Sequence, residues 1–181
     1  MIILGIDPGS RKTGYGLVEL KGRKFNYLES GILSFEVKEN FIERIGDIYR
    51  AANELLVDTK VDAIALESLI FTKSVTSLAK LAQARGAIIA ALAQNFDGQI
   101  FEYAPNLIKS TVTGHGHTDK EGIQKIVGML LGIKSFQSHD EADALAIALT
   151  HGLLQGSQLA RQNASVGKGR RSLKDLARSR S

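Results

Sequence analysis

The apolar pattern along the chain changes period several times, and each change marks an element. Ile2 to Ile6 is an unbroken apolar run that stops at Asp7, and Pro8-Gly9-Ser10 follows. This predicts a buried strand closed by a turn. Gly14 to Leu20 predicts a second strand, reached through the turn Arg11-Lys12-Thr13-Gly14. Lys24 to Phe35 alternates well enough for a third, and the three suggest an antiparallel meander. The period then lengthens. Between Asn40 and Leu56, the residues Phe41, Ile45, Ile48, Tyr49, Ala52, Leu55 and Leu56 fall on one helical stripe. Ala63 to Leu66 is a short buried strand ended by Glu67. Val75 to Asn95 is a long helix rich in Ala and Leu, and Gln99 to Tyr103 is a fifth strand. Helices are predicted near Ala104–Thr111, Lys120–Leu131 and His139–Leu154. Three strands in succession, then alternating helix and strand, imply an α/β fold: a mixed five-stranded sheet flanked by helices on both faces. No internal repeat is present.

From Gly156 onward the apolar period is lost. The chain therefore divides into a folded domain, 1–156, and a flexible tail, 157–181. The net charge of +4 sharpens this division. Residues 151–181 carry seven Lys/Arg against one acid, Asp175, whereas residues 1–150 hold 16 basic and 18 acidic side chains. The body is no generic polycation. To grip DNA it must gather its acids in one place and its bases in another. At 181 residues and 44% hydrophobic, the chain fits one domain with a sizeable core. Without cysteine, disulfides and thiolate metal sites are excluded. The N-terminus has no basic leader and does not read as a signal peptide. The most apolar helical stretch, Ala87 to Ala93, is too short to span a bilayer. A soluble cytoplasmic protein is the expectation.

Chemistry is suggested by the acids. Asp7 and Glu67 each stand where an apolar strand ends, and strand ends are where open α/β sheets place ligands. If the first and fourth strands are neighbours and parallel, both carboxylates emerge at one edge. Asp140 and Asp143 are three apart on a predicted helix and share a face. The reverse face, Ala144, Leu145, Ala148 and Leu149, is expected to pack on the sheet. Oxygen-only ligands suit Mg²⁺ or Mn²⁺ and not Zn²⁺. Four acids brought together raise one another's pKa, and two divalent ions relieve that repulsion. Such ions activate a water and stabilise the leaving oxygen of an in-line attack on phosphate. The expectation is a metal-dependent nuclease that cuts a DNA phosphodiester bond. Taken singly, each acid has a plainer reading. Asp7 before Pro-Gly starts a turn, Glu67 is a solvated strand end, and Asp140 complements a helix dipole behind a capping box of Ser138 and Glu141. Capping does not explain Asp143. The pattern Asp7-Pro8-Gly9 through Gly14 also fits the phosphate loop of actin-like ATPases, but 181 residues leave no room for their two lobes.

Several blocks together resemble the RuvC family of bacterial Holliday junction resolvases. They are Ile3-Leu4-Gly5-Ile6-Asp7-Pro8-Gly9 through Gly16, Ala65-Leu66-Glu67-Ser68, Leu81-Ala82-Gln83-Ala84-Arg85-Gly86, Ile108-Lys109 through Gly114-His115-Gly116 to Lys120, and Ala142-Asp143 through His151. They stand in family order over residues 1 to 154. The resemblance implies a ribonuclease H-like fold and a homodimer. It implies paired, symmetric nicks across four-way junction DNA, with two Mg²⁺ ions (Mn²⁺ as substitute) at Asp7, Glu67, Asp140 and Asp143. It also implies a branch-migration complex of RuvA and RuvB as partner. Lys109 and Lys120 fall on family positions tied to DNA contact and transition-state charge; the plainer reading of each is a solvated surface charge. Some members place His where Asp140 stands, which brings in His139 as a helper; its plainer and favoured reading is an exposed residue at the first helical position. The family carries an aromatic residue three after the catalytic Glu, whereas this chain has Ile70, with Phe71 next. Either Phe71 stacks on a base, or Ile70 wedges apolar surface between bases. The related YqgF type shares the Asp-Pro-Gly opening, but Gln83-Ala84-Arg85-Gly86 argues against it. A junction-binding scaffold with a dead site is disfavoured by the presence of all four acids. The helix from Val75 to Asn95 is the expected interface element. The basic tail is expected to add salt-sensitive DNA affinity.

Overall fold

The structure is a computed structural model that describes residues 1–35, 40–57, 59–70, 74–114 and 119–156. Its strands are β1 (Ile2–Asp7), β2 (Lys12–Lys21), β3 (Lys24–Ser34), β4 (Ala63–Glu67) and β5 (Ile100–Tyr103). They form a single five-stranded sheet in the order β3-β2-β1-β4-β5. β1 to β3 make the expected antiparallel meander, and β4 and β5 continue parallel to β1. The helices are α1 (Phe41–Glu54), α2 (Val75–Gln94), α3 (Pro105–Thr113), α4 (Lys120–Leu131) and α5 (139–156).

Strand periodicity sorts the side chains between two cores. Leu4, Ile6, Ile64 and Leu66 point to one face, where Ile48 and Ala52 of α1 and Ala84, Ile88 and Leu92 of α2 meet them. Ile3 and Ala65 point to the other, against Ile108, Val112, Ile123 and Val127 of α3 and α4 and the apolar length of α5. Both faces are covered, so the middle strands are apolar throughout.

Under the first half of α5 the sheet is bare of side chains at three glycines, whereas Ile3 and Phe25 meet the helix further on, at Gly152. A Cβ added to Gly5 would overlap the Ala144 carbonyl oxygen, one on Gly14 the Asp140 carbonyl oxygen, and one on Gly16 the Leu145 side chain. The helix backbone therefore rests on the sheet backbone. The face expected to pack on the sheet, Ala144, Leu145, Ala148 and Leu149, is buried, and Ala142, Ala146 and Ile147 are buried with it. The reason is a second layer: α3 and α4 cover the outer side of α5.

β2 begins two residues earlier than its apolar pattern suggested, because Lys12 already pairs with Ser34 and Phe35 N–H donates to Arg11 O at 2.9 Å. The turn is confined to the residues between Asp7 and Lys12. α3 runs on to Thr113 and ends at Gly114, whose φ of 75° suits a residue without Cβ. α2 also departs from expectation. Over all its 20 residues it is long and apolar enough, by composition, to cross a membrane. The short Ala87–Ala93 run had concealed this because Lys80 and Arg85 interrupt the apolar stretch. Its second half is a core helix all the same, packed through Ala84, Ile88, Ala91 and Leu92.

Candidate active site

The parallel pairing of β1 with β4, in the register Ile6 to Leu66, brings Asp7 and Glu67 side by side at the carboxyl ends of the two strands. Ser68 N–H donates to Tyr103 O at 2.9 Å and fixes the exit from β4. The turn after Asp7 is held from inside. Thr13 is fully buried, and its hydroxyl accepts from Gly9 N–H at 3.3 Å and donates to Gly9 O at 3.2 Å. On its other side Asp7 is the register partner of Gly14, the residue on which the Asp140 carbonyl rests. Asp140 lies in the first turn of α5, and Asp143 follows one turn further in. Three distant stretches of sequence thus deliver four carboxylates to one edge of the sheet.

These acids feel one another. The Asp7 carboxyl is pushed up to about 8, first by burial and then by the charges of Asp143, Glu67 and Asp140, with Lys120 opposing. Burial raises Glu67 as well; Asp143 adds to the rise, and Lys109 and Lys120 oppose it. Asp143 is raised by burial and by Asp140, against the pull of Lys120, His139 and Lys109. Like charges crowded into a poorly solvated place favour the protonated form. Among the described residues, no three such side chains close on a common centre to make a ready metal-binding set. They are near enough to repel but do not converge. The donor set is nonetheless oxygen-only and half-buried, and its four acids outnumber the two lysines beside them, which fits a hard divalent cation.

Glu67 and Asp143 share a cleft of about 220 Å³ with Lys109, Lys120 and Ile70. Glu67 and Asp7 share a smaller recess of about 70 Å³ with Ser68, Ile70 and Arg85. Lys120 opens α4 behind Asp119, whose side chain accepts from Gly122 N–H at 2.8 Å. Ile70 stands at the lip of both hollows, 60% exposed. Phe71 and the tail from residue 157 lie outside the described residues. His139 is exposed at the start of α5 and lies 2.9 Å from the Gln124 amide.

Three features at the site escaped sequence reasoning. The glycines under α5 are one; interior strand glycines were the available signal. The second is Arg85, buried beneath the smaller recess and paired with Glu102 of β5 at 2.6 Å. The third is Glu141. Ser138 caps α5 as expected, its hydroxyl accepting from Glu141 N–H at 3.4 Å. The Glu141 carboxylate accepts from Gln137 N–H and from the Ser30 hydroxyl, each at 2.6 Å, where a standard capping box would use the cap residue's own N–H.

Known proteins share this arrangement. The family model described as "Crossover junction endodeoxyribonuclease RuvC" matches residues 3–151. The RuvC of Pasteurella multocida is 45% identical over 150 residues, which are 83% of this chain and 78% of that protein. The RuvC of Mannheimia succiniciproducens is 46% identical over 151 residues, 83% of this chain and 74% of that protein. Thermus thermophilus RuvC, solved in complex with a Holliday junction substrate, superposes with a TM-score of 0.80 at 32% identity, covering 87% of this chain and 96% of that one. The sheet order, the carboxylates at its edge and these likenesses agree: the chain belongs to the RuvC family of crossover junction endodeoxyribonucleases and has their ribonuclease H-like fold.

Proposed function

We propose that this chain is a structure-selective DNA endonuclease that resolves Holliday junctions by paired, symmetric nicks in homologous recombination and repair. The observation that carries the reading is the meeting of Asp7, Glu67, Asp140 and Asp143 at one sheet edge beside Lys109 and Lys120, in a chain of this family. Nucleases of the family are metal-dependent. In this reading the four carboxylates hold two Mg²⁺ ions, with Mn²⁺ as substitute. When bound, the ions supply an activated water and charge stabilisation at the leaving 3′-oxygen. The remaining work falls to the side chains. Asp7, its carboxyl pushed up to about 8, gives up its proton as the site fills. Lys109 and Lys120 face the same cleft and offset negative charge developing on the phosphate. Ile70 presents apolar surface at the lip to an unstacked base, and Phe71, one residue on, is the alternative stacking group.

Two nicks of matching polarity call for two sites related by a two-fold axis, and a homodimer is the simplest supply. The first half of α2, with Val75 72% exposed, is the surface assigned to it. Residues 1–156 form the nuclease domain, and the basic tail, 157–181, adds salt-dependent affinity for the DNA backbone. RuvA and RuvB are the partners this role implies, in the cytoplasm.

The test is cleavage of a mobile four-way junction beside linear duplex, with and without Mg²⁺. Wild-type protein should nick the junction only with metal. Asp7→Asn should bind the junction with near wild-type affinity and leave it intact. Cleavage by Asp7→Asn at the wild-type rate sinks the carboxylate mechanism. Tight binding by the wild type with no metal-dependent cutting reassigns the protein as a scaffold.

A further inference from the structure

We propose that Glu141 is a positioning residue that sets the rotation of α5, and with it the aim of Asp140 and Asp143 toward a bound cation. The inference rests on the reading of those two acids as ligands. Glu141 is only 5% exposed, yet it sits on the helix between two other acids. A third carboxylate in such company is unfavourable unless its hydrogen bonds are made. Both of its oxygens are engaged. One accepts from the Ser30 hydroxyl of β3 at 2.6 Å and the other from Gln137 N–H at 2.6 Å. Ser30 is itself held by the Tyr27 hydroxyl, 3.1 Å away. The result is a tie between the start of α5 and an outer strand 111 residues earlier in sequence.

The placement suits a device that fixes rotation. Successive helix residues are about 100° apart, so Glu141 leaves the helix well off the side shared by Asp140 and Asp143. It can fix the helix about its axis without entering the site. Gly14, under the Asp140 carbonyl, already fixes how closely the helix approaches the sheet. Packing against the sheet, α3 and α4 seats the apolar length of α5, and its first turn, where Asp140 stands, has Glu141 as a further tie. A short, charge-assisted hydrogen bond to a strand is directional and restrains rotation there. One oxygen stays local, on Gln137 N–H where an ordinary capping box would use Ser138 N–H, and the other reaches out of the helix to β3.

The test measures metal binding directly. Mn²⁺ is titrated calorimetrically into DNA-free protein, alongside thermal stability, junction affinity in Ca²⁺ and single-turnover cleavage. Glu141→Ala should weaken Mn²⁺ binding and cleavage by about tenfold, the usual scale for a group that orients a ligand, with junction affinity unchanged. Ser30→Ala should move both in the same direction by less, and the double variant should fall no further than Glu141→Ala, because one tie cannot be cut twice. Glu141→Gln should restore near wild-type Mn²⁺ affinity, since its carbonyl still accepts from Gln137 and its amide can donate to Ser30. Variants that lose thermal stability but keep wild-type Mn²⁺ affinity and rate overturn the proposal, and so does full additivity of the two alanines. If Glu141→Ala does not fold, Ser30→Ala decides. Asp143→Asn is the control: retained Mn²⁺ affinity there defeats the ligand reading itself, whereas loss there with retention in Glu141→Ala defeats only the positioning role.

Discussion

α5 and α2 lie on opposite faces of one sheet and differ little in length, yet they meet it in different ways. α2 rides on branched side chains, Leu4, Ile6, Ile64 and Leu66, and only its second half is buried. α5 rests on the sheet backbone through Gly5, Gly14 and Gly16, and is buried from Ala144 through His151. Side chains between a helix and a sheet act as a compliant layer, because a different rotamer can absorb a small shift. Backbone against backbone has no such layer. The face that carries Asp140 and Asp143 has given up side-chain volume for exactness of placement, and the opposite face has kept a surface free for other contacts.

The largest effect is expected from refilling that floor. Gly14→Ala places a methyl group against the Asp140 carbonyl, and Gly5→Ala one against the Ala144 carbonyl. Neither obstacle is a flexible side-chain tip, so the helix itself must move. Overpacking of this kind costs about 1–3 kcal/mol, and a displacement near 1 Å costs a positioned reaction roughly a hundredfold in rate. Chemical denaturation and single-turnover cleavage measure the two losses. Gly14→Ala should lose more activity for the same loss of stability, since it lies under Asp140. Wild-type behaviour of both variants would mean that α5 is as loosely seated as α2.

How much of this was legible in the sequence depended on range. Asp7 and Glu67 stood out because an apolar run stops at each, and Asp140 and Asp143 because three positions make one helical face; both signals lie within a few residues. The sheet followed from the same local periods. The glycine floor did not, because a glycine in a strand carries a local cost and its reason, a helix from the far end of the chain, is tertiary. Glu141 was hidden by a motif that explained it too easily: Ser138 and Glu141 satisfy a capping pattern, and nothing near them points to Ser30. The burial of Ala142, Ala146 and Ile147 was not legible for the same cause, since the covering residues belong to α3 and α4.

An effect opposite in sign for stability and activity is expected from the charge held by Asp7 at the end of β1. The folded Asp7 carboxyl has its pKa near 8, against an ordinary value of 3.8. Between those values the folded protein keeps a proton that the unfolded chain has released. Metal-free stability therefore falls as pH rises through this window, and Glu67 and Asp143 act in the same direction. Asp7→Asn removes its share. In EDTA at pH 8 the variant should melt above the wild type, and the gap should close toward pH 5. Mn²⁺ should raise the wild-type melting temperature strongly and that of the variant little. A gap that is constant across pH would show that Asp7 carries no strained charge.

The smallest effect belongs to α2 and sharpens the contrast most. Gly86 lies inside this helix, exposed, and a Cβ added there meets nothing within 4 Å. Unlike Gly5 and Gly14, it holds no neighbour at bay within its own chain. Replacement by Ala removes backbone freedom from the unfolded state and fills an open position, so Gly86→Ala should stabilise the protein by about 0.5–1 kcal/mol. Cleavage should not change, because Gly86 faces away into solvent, whereas its buried neighbour Arg85 is the residue that lines the recess of Asp7 and Glu67. Denaturant midpoints and sedimentation, run at several concentrations, supply the check. A gain in stability with unaltered self-association leaves the two helices as different in kind as they look. A weakened dimer would instead make Gly86 a glycine of close approach, with a second copy of the chain resting on α2 as α5 rests on the sheet, and the difference between the two faces would become one of partner, not of packing.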